Sequence, residues 1–292
     1  TQSRQTSPHL APTARAAALG ALGHLADERI LAAVQSAFKG SDEAVTVQAL
    51  QVLDGLDLPN AATVLEGVIV AEGPIRVRQA AAKALGKLGD RKALAALQRC
   101  FERAMSDRLP PAVHLEIFEA IEAGGTLDLK QLLIDFDNVR KNRPIAERHI
   151  ELLEGGDVEA GRAVFLQKPQ AQCFRCHQLN GQGGVVGPDL TRIGAQRKPH
   201  ELLESILTPN SVIEPAYQQF HVSTANGGYF GRVTEESDES LTLLTPQGEE
   251  LVILKVDITD QRKTLSAMPG NLAEFLTRRE LRDLVAFLSS LN

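Results

Sequence analysis

The stretch Cys173-Phe174-Arg175-Cys176-His177 places two cysteines three positions apart, with a histidine directly after the second. Thiols at this spacing lie one helical turn apart, so each can form a thioether to one of the two vinyl groups of a single haem. The imidazole that follows can then bind the iron from the same side. The stretch therefore predicts one covalent haem c, with Cys173 and Cys176 as anchors and His177 as the first axial ligand.

Cysteine pairs also occur in zinc and dithiol sites, and the surroundings of this pair favour neither. Structural zinc takes about four nitrogen or sulfur ligands. The third cysteine, Cys100, lies far upstream in a helical pattern, so His200 and His221 would have to complete the set. A thioredoxin-like pair follows a strand, whereas residues 166–170 are typical of a loop. Cys100 itself is predicted to be a small buried core residue.

Length and composition are those of a globular protein with more than one domain. The chain has 292 residues, 43% hydrophobic and 23% charged, which is ordinary for a soluble fold. No stretch approaches the roughly 20 apolar residues of a membrane span, so no transmembrane segment is predicted. The net charge of −6 argues against nucleic-acid binding, which needs a basic face, and is compatible with a cationic redox partner.

The location follows from the haem chemistry. The first residues, Thr1-Gln2-Ser3-Arg4-Gln5, are polar and contain no signal-peptide core. The sequence does not begin with Met, so we expect a mature form or an excised fragment. Because bacteria attach haem c outside the cytoplasmic membrane, we expect a periplasmic or exported protein.

The N-terminal half contains an internal repeat. Leu22-Gly23-His24-Leu25-Ala26-Asp27 returns 63 positions later as Leu85-Gly86-Lys87-Leu88-Gly89-Asp90, and Val52 to Asp57 is an intermediate copy. A period of 31–33 residues that reads helix, turn, helix is the signature of an α-solenoid. One unit shows the pattern clearly, because residues 77–88 and 94–101 form two apolar stripes at helical spacing around Gly89 and Asp90.

This repeat resembles short HEAT-like repeats over about residues 12–125, with residues 126–152 as a less regular helical connector. A solenoid of this kind offers a concave surface to a partner. A spacer that holds the following domain is an equally good interpretation.

The C-terminal half begins and ends with helices. Asp157 is a good N-cap for the first of them, and Thr277-Arg278-Arg279-Glu280 is a capping box that opens the last. Between them, Gly187-Pro188-Asp189-Leu190 follows the cysteine stretch. A carbonyl here could accept the Nδ1–H of His177 and fix the ring, which is how ligating histidines are usually oriented. Pro188 resembles the proline that usually supplies this carbonyl in cytochromes, and this resemblance assigns it the role; a simple turn is the alternative interpretation.

Met268 is the preferred second axial ligand. It lies in Ser266-Ala267-Met268-Pro269, an irregular segment just before the last helix, from which a thioether can be directed at the iron. The alternatives are a second histidine, His200 or His221, or an open iron site. A His/Met pair favours a high reduction potential and electron transfer.

More residues lie between His177 and Met268 than a minimal domain needs, and the additional residues are predicted to form strands. The predicted strands are Tyr217 to Thr224, Phe230 to Val233, Leu241 to Leu244 and Leu251 to Ile258, in a β insertion at about residues 213–260. Asn226-Gly227 predicts a type I′ hairpin. The insertion either shields one haem edge, forms a docking surface or is purely structural.

These motifs occur in a specific order over residues 153–292. The order is similar to that of the c-type cytochrome domain common in planctomycete and verrucomicrobial proteins, which often follows HEAT-like repeats and a propeller-type dehydrogenase domain. The resemblance implies an electron-accepting module, with Gly161, Phe165 and Phe287 where the first and last helices cross. Leu190 and Ile193 would pack near the haem, and Arg192 is a candidate partner for a propionate.

The sequence therefore predicts a mainly α protein. Residues 1–152 form a HEAT-like α-solenoid, and residues 153–292 form a small cytochrome c domain with one haem and an antiparallel β insertion. The favoured function is single-electron transfer from a dehydrogenase, or to and from another cytochrome, as a carrier or as a module of a larger oxidoreductase. A haem enzyme or gas sensor with an open iron site and a repeat scaffold for partner docking are the alternatives.

Overall fold

The computed structural model describes residues 11–24, 33–34, 36–37, 42–52 and 60–292. The chain divides into two compact units, Thr1–Arg143 and Pro144–Asn292. Parts of the predicted repeat, at residues 25–27 and 53–57, lie outside the described residues. The predicted domain boundary after residue 152 and the predicted extent of the β insertion stay predictions. None of the helices in the described part of the chain is long and apolar enough to cross a membrane.

The described part of the first unit is built from helices alone. They are α1 (Pro12–His24), α2 (Glu43–Val52), α3 (Ala61–Val70), α4 (Ile75–Leu88), α5 (Arg91–Met105), α6 (Pro111–Gly124) and α7 (Leu127–Arg140). Besides its neighbour in sequence, a helix contacts the one two places further on: α2 contacts α4, α3 contacts α5, and α4 contacts α6. This is the contact pattern of stacked helical hairpins, in which each pair buries the apolar face of the next.

The α4–α5 hairpin shows how the sequence forms one unit. Gly89 ends α4 in the left-handed conformation with φ 64°, which glycine adopts without steric cost. Asp90 then caps α5 by accepting a hydrogen bond from the N–H of Ala93 at 2.7 Å. Leu85 and Leu97 are fully buried in the core between the helices. The predicted pair of amphipathic helices is confirmed.

Small residues let these helices approach closely, and aromatic rings fill the far end of the stack. A Cβ on Gly86 would lie 2.5 Å from Cβ of Ala120 on α6, so the glycine is needed at this crossing. Phe118 contacts the rings of Phe101 and Phe136, with centroids 6.1 and 5.7 Å away. Aromatic pairs at these distances add to the stabilisation that burial gives.

The second unit combines short helices with two antiparallel sheets. Its α-helices are α8 (Ile145–Arg148), α9 (Val158–Gln167), α10 (Cys173–Cys176), α11 (Ile193–Gln196), α12 (Pro199–Leu207) and α13 (Arg278–Ser290). Its strands are β1 (Gln178–Leu179), β2 (Gln182–Gly183), β3 (Gln219–Thr224), β4 (Gly227–Glu236), β5 (Ser240–Leu244), β6 (Glu250–Leu254) and β7 (Ile258–Lys263). The single 3-10 turns are Ile150–Leu152, Pro215–Tyr217, Lys255–Asp257 and Leu272–Phe275.

The helices α9 and α13 cross in close contact and form the frame of this unit. A Cβ on Gly161 would lie 1.9 Å from the carbonyl oxygen of Asp283 and 2.8 Å from Cβ of Phe287, so only glycine fits here. Next to it, the rings of Phe165 and Phe287 lie with centroids 5.6 Å apart. The predicted crossing is confirmed.

Both predicted helix caps are also present. The side chain of Asp157 accepts a hydrogen bond from the N–H of Ala160 at 2.9 Å. Thr277 and Glu280 form the reciprocal capping box of α13, in which each side chain accepts from the other residue's backbone N–H. The two caps fix where α9 and α13 begin, and thereby which residues meet at the crossing.

The larger sheet has the strand order β6-β5-β4-β3-β7. One face is buried by a small apolar cluster, in which Val222, Leu241, Leu243 and Ile253 are 0–6% exposed. The predicted strand from Leu251 to Ile258 is interrupted by a 3-10 turn, and a further strand, β7, follows it. The predicted hairpin is present, but Thr224 pairs with Gly227, so its loop is Ala225-Asn226 rather than Asn226-Gly227.

Candidate functional site

The two neighbouring cysteines lie on α10, a helix of one turn. The N–H of His177 donates to the carbonyl of Cys173 at 2.9 Å, which closes this turn. His177 itself has an extended backbone, with φ −109° and ψ 142°. Burial raises the pKa of the Cys173 thiol to about 11 and also raises that of Cys176, so both thiols are protonated at neutral pH. The helical turn thus brings two thiols and one imidazole to the wall of one cavity.

The imidazole of His177 is held by the loop that follows it. Its Nδ1 lies 2.9 Å from the carbonyl oxygen of Pro188, the contact that the predicted role of this proline requires. Burial lowers the pKa of His177, and the hydrogen bond to Pro188 offsets part of this effect. The neutral ring therefore donates its Nδ1–H to Pro188, and Nε2 keeps a lone pair that can bind a metal.

Glycines allow this loop to fold back onto the cysteine helix. The N–H of Gly187 donates to the carbonyl of Cys176 at 2.8 Å. A Cβ on Gly187 would lie 2.6 Å from Cε1 of the His177 ring, so a larger residue would displace the imidazole. Gly184 is equally constrained, because its Cβ would lie 1.9 Å from the carbonyl oxygen of Arg175. These glycines allow the loop to hold the His177 ring in place, a role that the sequence did not predict for them.

A cavity of about 360 Å³ lies against these groups, within the size range of small-molecule and cofactor sites. Cys173, Cys176, His177 and Met268 all line it, although they come from two chain segments about 90 residues apart. Apolar side chains of α9, α12 and α13 supply much of the remaining wall: Phe165, Leu202, Ile206, Leu284 and Leu288. The cavity is therefore suited to a large apolar group held at one edge by sulfur and nitrogen.

Met268 reaches the cavity from an irregular segment that hydrogen bonds hold in place. Its N–H donates to Oγ of Ser266 at 3.1 Å, and the N–H of Ser266 donates to Oδ1 of Asn210 at 2.8 Å. The methionine is half-buried. His200 and His221, the alternative ligands from the sequence, do not line the cavity. Of the candidate second ligands, Met268 alone shares the cavity with His177.

Of the remaining residues that were predicted to contact the haem, two line the cavity and one does not. Leu190 and Ile193 line the cavity, whereas Arg192 is exposed and does not. The arginine in the wall is Arg197, whose guanidinium forms an ion pair with Glu214 and lies 3.9 Å from Oε1 of Glu201. Sequence reasoning missed Arg197, which directly follows α11, because nothing in the local pattern shows that it lines the cavity whereas Arg192, five residues earlier, does not.

Gln219 is the least expected residue of the wall. It is 1% exposed and lines the cavity, yet its Oε1 has no hydrogen-bond partner in the structure. A buried polar atom without a partner is unfavourable unless a bound group or water satisfies it. An amide oxygen only accepts hydrogen bonds, so a water or another donor, and not an ionised propionate, would satisfy it. The two thiols, the neutral imidazole and the apolar wall fit the macrocycle of a haem.

Among the described residues, no group of three or more His, Cys, Asp and Glu side chains is arranged to hold a metal ion. The described residues therefore do not supply the roughly four ligands that a structural zinc site at the cysteine pair would need. Cys100 is fully buried in the first unit, and burial raises its pKa to about 12. This agrees with its prediction as a small buried core residue.

Comparisons with known families agree with both halves of this description. Residues 158–240 match the cytochrome c family model. The second unit therefore contains a cytochrome c domain. Residues 77–103, which span α4 and α5, match the model of the PBS lyase HEAT-like repeat, so the predicted fold class is confirmed. No curated protein is significantly similar to the chain.

The cytochrome c match includes Cys173, Cys176, His177 and Pro188 and ends before Met268. A cytochrome c domain implies covalently bound haem c and suggests redox partners, and domains of this kind are typically exported. The predicted second axial ligand, Met268, lies beyond the matched residues, and its role and the planctomycete and verrucomicrobial type both stay predictions.

Proposed function

We propose that this protein carries single electrons through one covalent haem c with His177 and Met268 as axial ligands. The observation that carries the proposal is the shared cavity: both thiols, the imidazole and the thioether line one apolar space. Haem c, when bound there, supplies an iron centre that takes up and releases one electron. A reduced dehydrogenase is the proposed donor, and another redox protein is the acceptor.

The protein's own residues support a carrier rather than a catalyst. The bond to Pro188 holds His177 in one orientation and makes Nε2 the ligating nitrogen. Met268 provides a neutral thioether, and His/Met ligation raises the reduction potential and leaves the iron no position for a substrate. Met268 and the apolar wall would exclude water from a haem bound in this cavity, which suits electron transfer more than reaction with small molecules.

The proposed organisation follows from this role. Residues 153–292 form the haem domain, with a β insertion at about residues 213–260. Residues 1–152 form the repeat domain, which docks a partner or is a spacer that holds the haem domain against another component. Because haem c is attached outside the bacterial cytoplasm, we propose a periplasmic or exported location. Stacked helical hairpins form the extended concave surfaces that repeat proteins use for binding.

Met268→Ala tests the ligation. The protein would be made with a cytochrome c maturation system, and its oxidised and reduced absorption spectra would be compared with those of the variant. We expect a low-spin spectrum whose long-wavelength methionine–iron band disappears in the variant, together with a lower potential and rapid binding of cyanide. Met105→Ala, in the other unit, is the matched control and should leave the spectrum unchanged.

Two results would contradict the proposal in different ways. A wild-type protein with high-spin haem that binds carbon monoxide rapidly would favour an enzyme or sensor with an open iron site. A low-spin spectrum that Met268→Ala leaves unchanged would assign the second position to another residue.

Arg197 is the arginine that we propose as partner of a haem propionate, in place of the exposed Arg192. Removing a positive charge next to the haem stabilises the ferric form, because ferric haem carries one more positive charge than ferrous haem. Arg197→Gln should therefore lower the reduction potential in a redox titration, whereas Arg192→Gln should change it little. If Arg192→Gln had the larger effect, the propionate would lie on the side of Arg192.

A further inference from the structure

The larger sheet begins and ends beside the segment that carries Met268. The first strand, β3, starts at Gln219, and the last, β7, ends at Lys263. These two strands pair along their length, with Phe220 opposite Lys263. One residue further on, the N–H of Thr264 donates to the carbonyl of Gln219 at 2.9 Å. The chain therefore enters the Met268 segment from a point that β3 fixes.

Two side chains extend this attachment beyond the end of the strand. The Nε2 of Gln218 donates to the carbonyls of Gln219 and Thr264, both at 2.9 Å, and so links the start of β3 to the end of β7. The Oδ1 of Asn210 accepts the N–H of Ser266 at 2.8 Å. In turn, Oγ of Ser266 accepts the N–H of Met268. This series of hydrogen bonds thus holds the segment at three successive points: Thr264 to β3, Ser266 to Asn210, and Met268 to Ser266.

The strand β7 contributes little to the core of the sheet. After Ile258 all of its residues are exposed, and the buried apolar cluster consists of residues from β3, β5 and β6. Strands that stabilise a sheet by burial alternate apolar and polar residues, and β7 does not. Its paired backbone does, however, fix the direction in which the chain leaves the sheet.

We propose that the β insertion is a positioning device for the axial methionine, with Gln218 and Asn210 as the positioning residues. This inference rests on the proposed His177/Met268 ligation. Methionine has three rotatable side-chain bonds and its thioether is an adaptable group, so its place must be determined by the backbone that carries it. Residues 264–268 have no regular structure of their own, and the hydrogen bonds to Gln218, Gln219 and Asn210 replace it.

The double variant Gln218→Ala/Asn210→Ala tests this device in the haem-loaded protein. It removes three side-chain hydrogen bonds of the series and leaves Met268 in the sequence. Net hydrogen-bond contributions of ordinary size predict that imidazole displaces the methionine at least about tenfold more easily. The measurement is an imidazole titration of the ferric protein, followed at the methionine–iron band. The haem stays covalently attached, and the far-ultraviolet circular dichroism is unchanged.

Thr259→Ala is the matched control. Its Oγ1 donates to the carbonyl of Ser223 at 3.1 Å, so it also links β7 to β3, but near the start of β7, away from Met268. This variant should bind imidazole like the wild type. Asn210→Asp keeps the accepting oxygen for Ser266 and should retain most of the wild-type resistance when it replaces Asn210→Ala in the double variant.

The outcomes separate this inference from the function on which it rests. A wild type without a methionine–iron band overturns the ligation, and the positioning role with it. A band that Met268→Ala removes, combined with a double variant that binds imidazole like Thr259→Ala, overturns the positioning role alone. A tenfold change in the double variant with Thr259→Ala unchanged supports both.

Discussion

Replacing Cys173 and Cys176 together by serine is expected to abolish covalent haem attachment completely. A thioether forms when the S–H of a cysteine adds across the C=C of a vinyl group, and a serine hydroxyl does not take part in this reaction under the same conditions. Both thiols line the cavity next to His177, so each has access to the same bound group. Either single variant should retain one thioether and therefore some covalent haem.

The measurement is haem retention after denaturation and acid extraction, combined with the intact mass of the protein. Cys100→Ala is the control, because Cys100 lies fully buried in the first unit and burial holds its pKa at about 12. It should keep the full complement of haem and lose only some stability. Covalent haem in the double variant would show that the stretch at 173–177 is not the attachment site.

The sequence predicted best those features that local chemistry determines. The capping residues Asp157 and Thr277, the helix stop at Gly89 and the cysteine helix each depend on residues within a few positions of one another. The same is true of the hydrogen bond between His177 and Pro188, which a short loop brings together. Such features need no knowledge of the rest of the fold.

Features that depend on distant segments could not be predicted in this way. The strand β7 consists of Ile258-Thr259-Asp260-Gln261-Arg262-Lys263, whose polar residues give no alternation of apolar and polar positions, so nothing in the pattern marks it as a strand. Its pairing with β3 supplies the missing stabilisation. Likewise, Gln219 reads as an ordinary polar residue, and only the tertiary fold buries it in the cavity wall.

The Asn226-Gly227 dipeptide correctly predicts a hairpin, but it does not predict which two residues form the loop. The dipeptide does mark the hairpin between β3 and β4. The two strands nevertheless pair up to Thr224 and Gly227, which places the loop one residue earlier than a type I′ turn centred on the dipeptide. Strand register is set by the buried face of the sheet, here by Val222 in the apolar cluster.

Gly161→Ala is expected to destabilise the haem domain, although helix propensity alone predicts the opposite. In an exposed helix interior, alanine is better than glycine by about 1 kcal/mol. At Gly161, however, the new Cβ would lie 1.9 Å from the carbonyl oxygen of Asp283 and 2.4 Å from its carbon. Both are backbone atoms that no side-chain rotation can move, so α9 and α13 must separate. Overpacking of this kind costs about 1–3 kcal/mol or more.

The separation would reach the haem site itself. Phe165 on α9 and Leu284 and Leu288 on α13 line the cavity, and the N–H of Asp157 donates to Oδ1 of Asp283 across the same crossing at 2.8 Å. We therefore expect a lower free energy of unfolding, followed by haem absorption in a denaturant titration, and easier displacement of Met268 by imidazole.

Gly67→Ala provides the matched comparison, since it is the same substitution in the interior of the helix α3. A Cβ at Gly67 would meet no atom outside its own helix within 4 Å. The substitution therefore changes the helix propensity without introducing a steric clash. The first unit should then be unchanged or stabilised by up to about 1 kcal/mol, followed by circular dichroism. If Gly67→Ala raises the free energy of unfolding and Gly161→Ala lowers it, the loss at Gly161 is due to the crossing of α9 and α13. If Gly161→Ala stabilised the domain instead, α9 and α13 would have to lie further apart than the contact between Gly161 and Asp283 indicates.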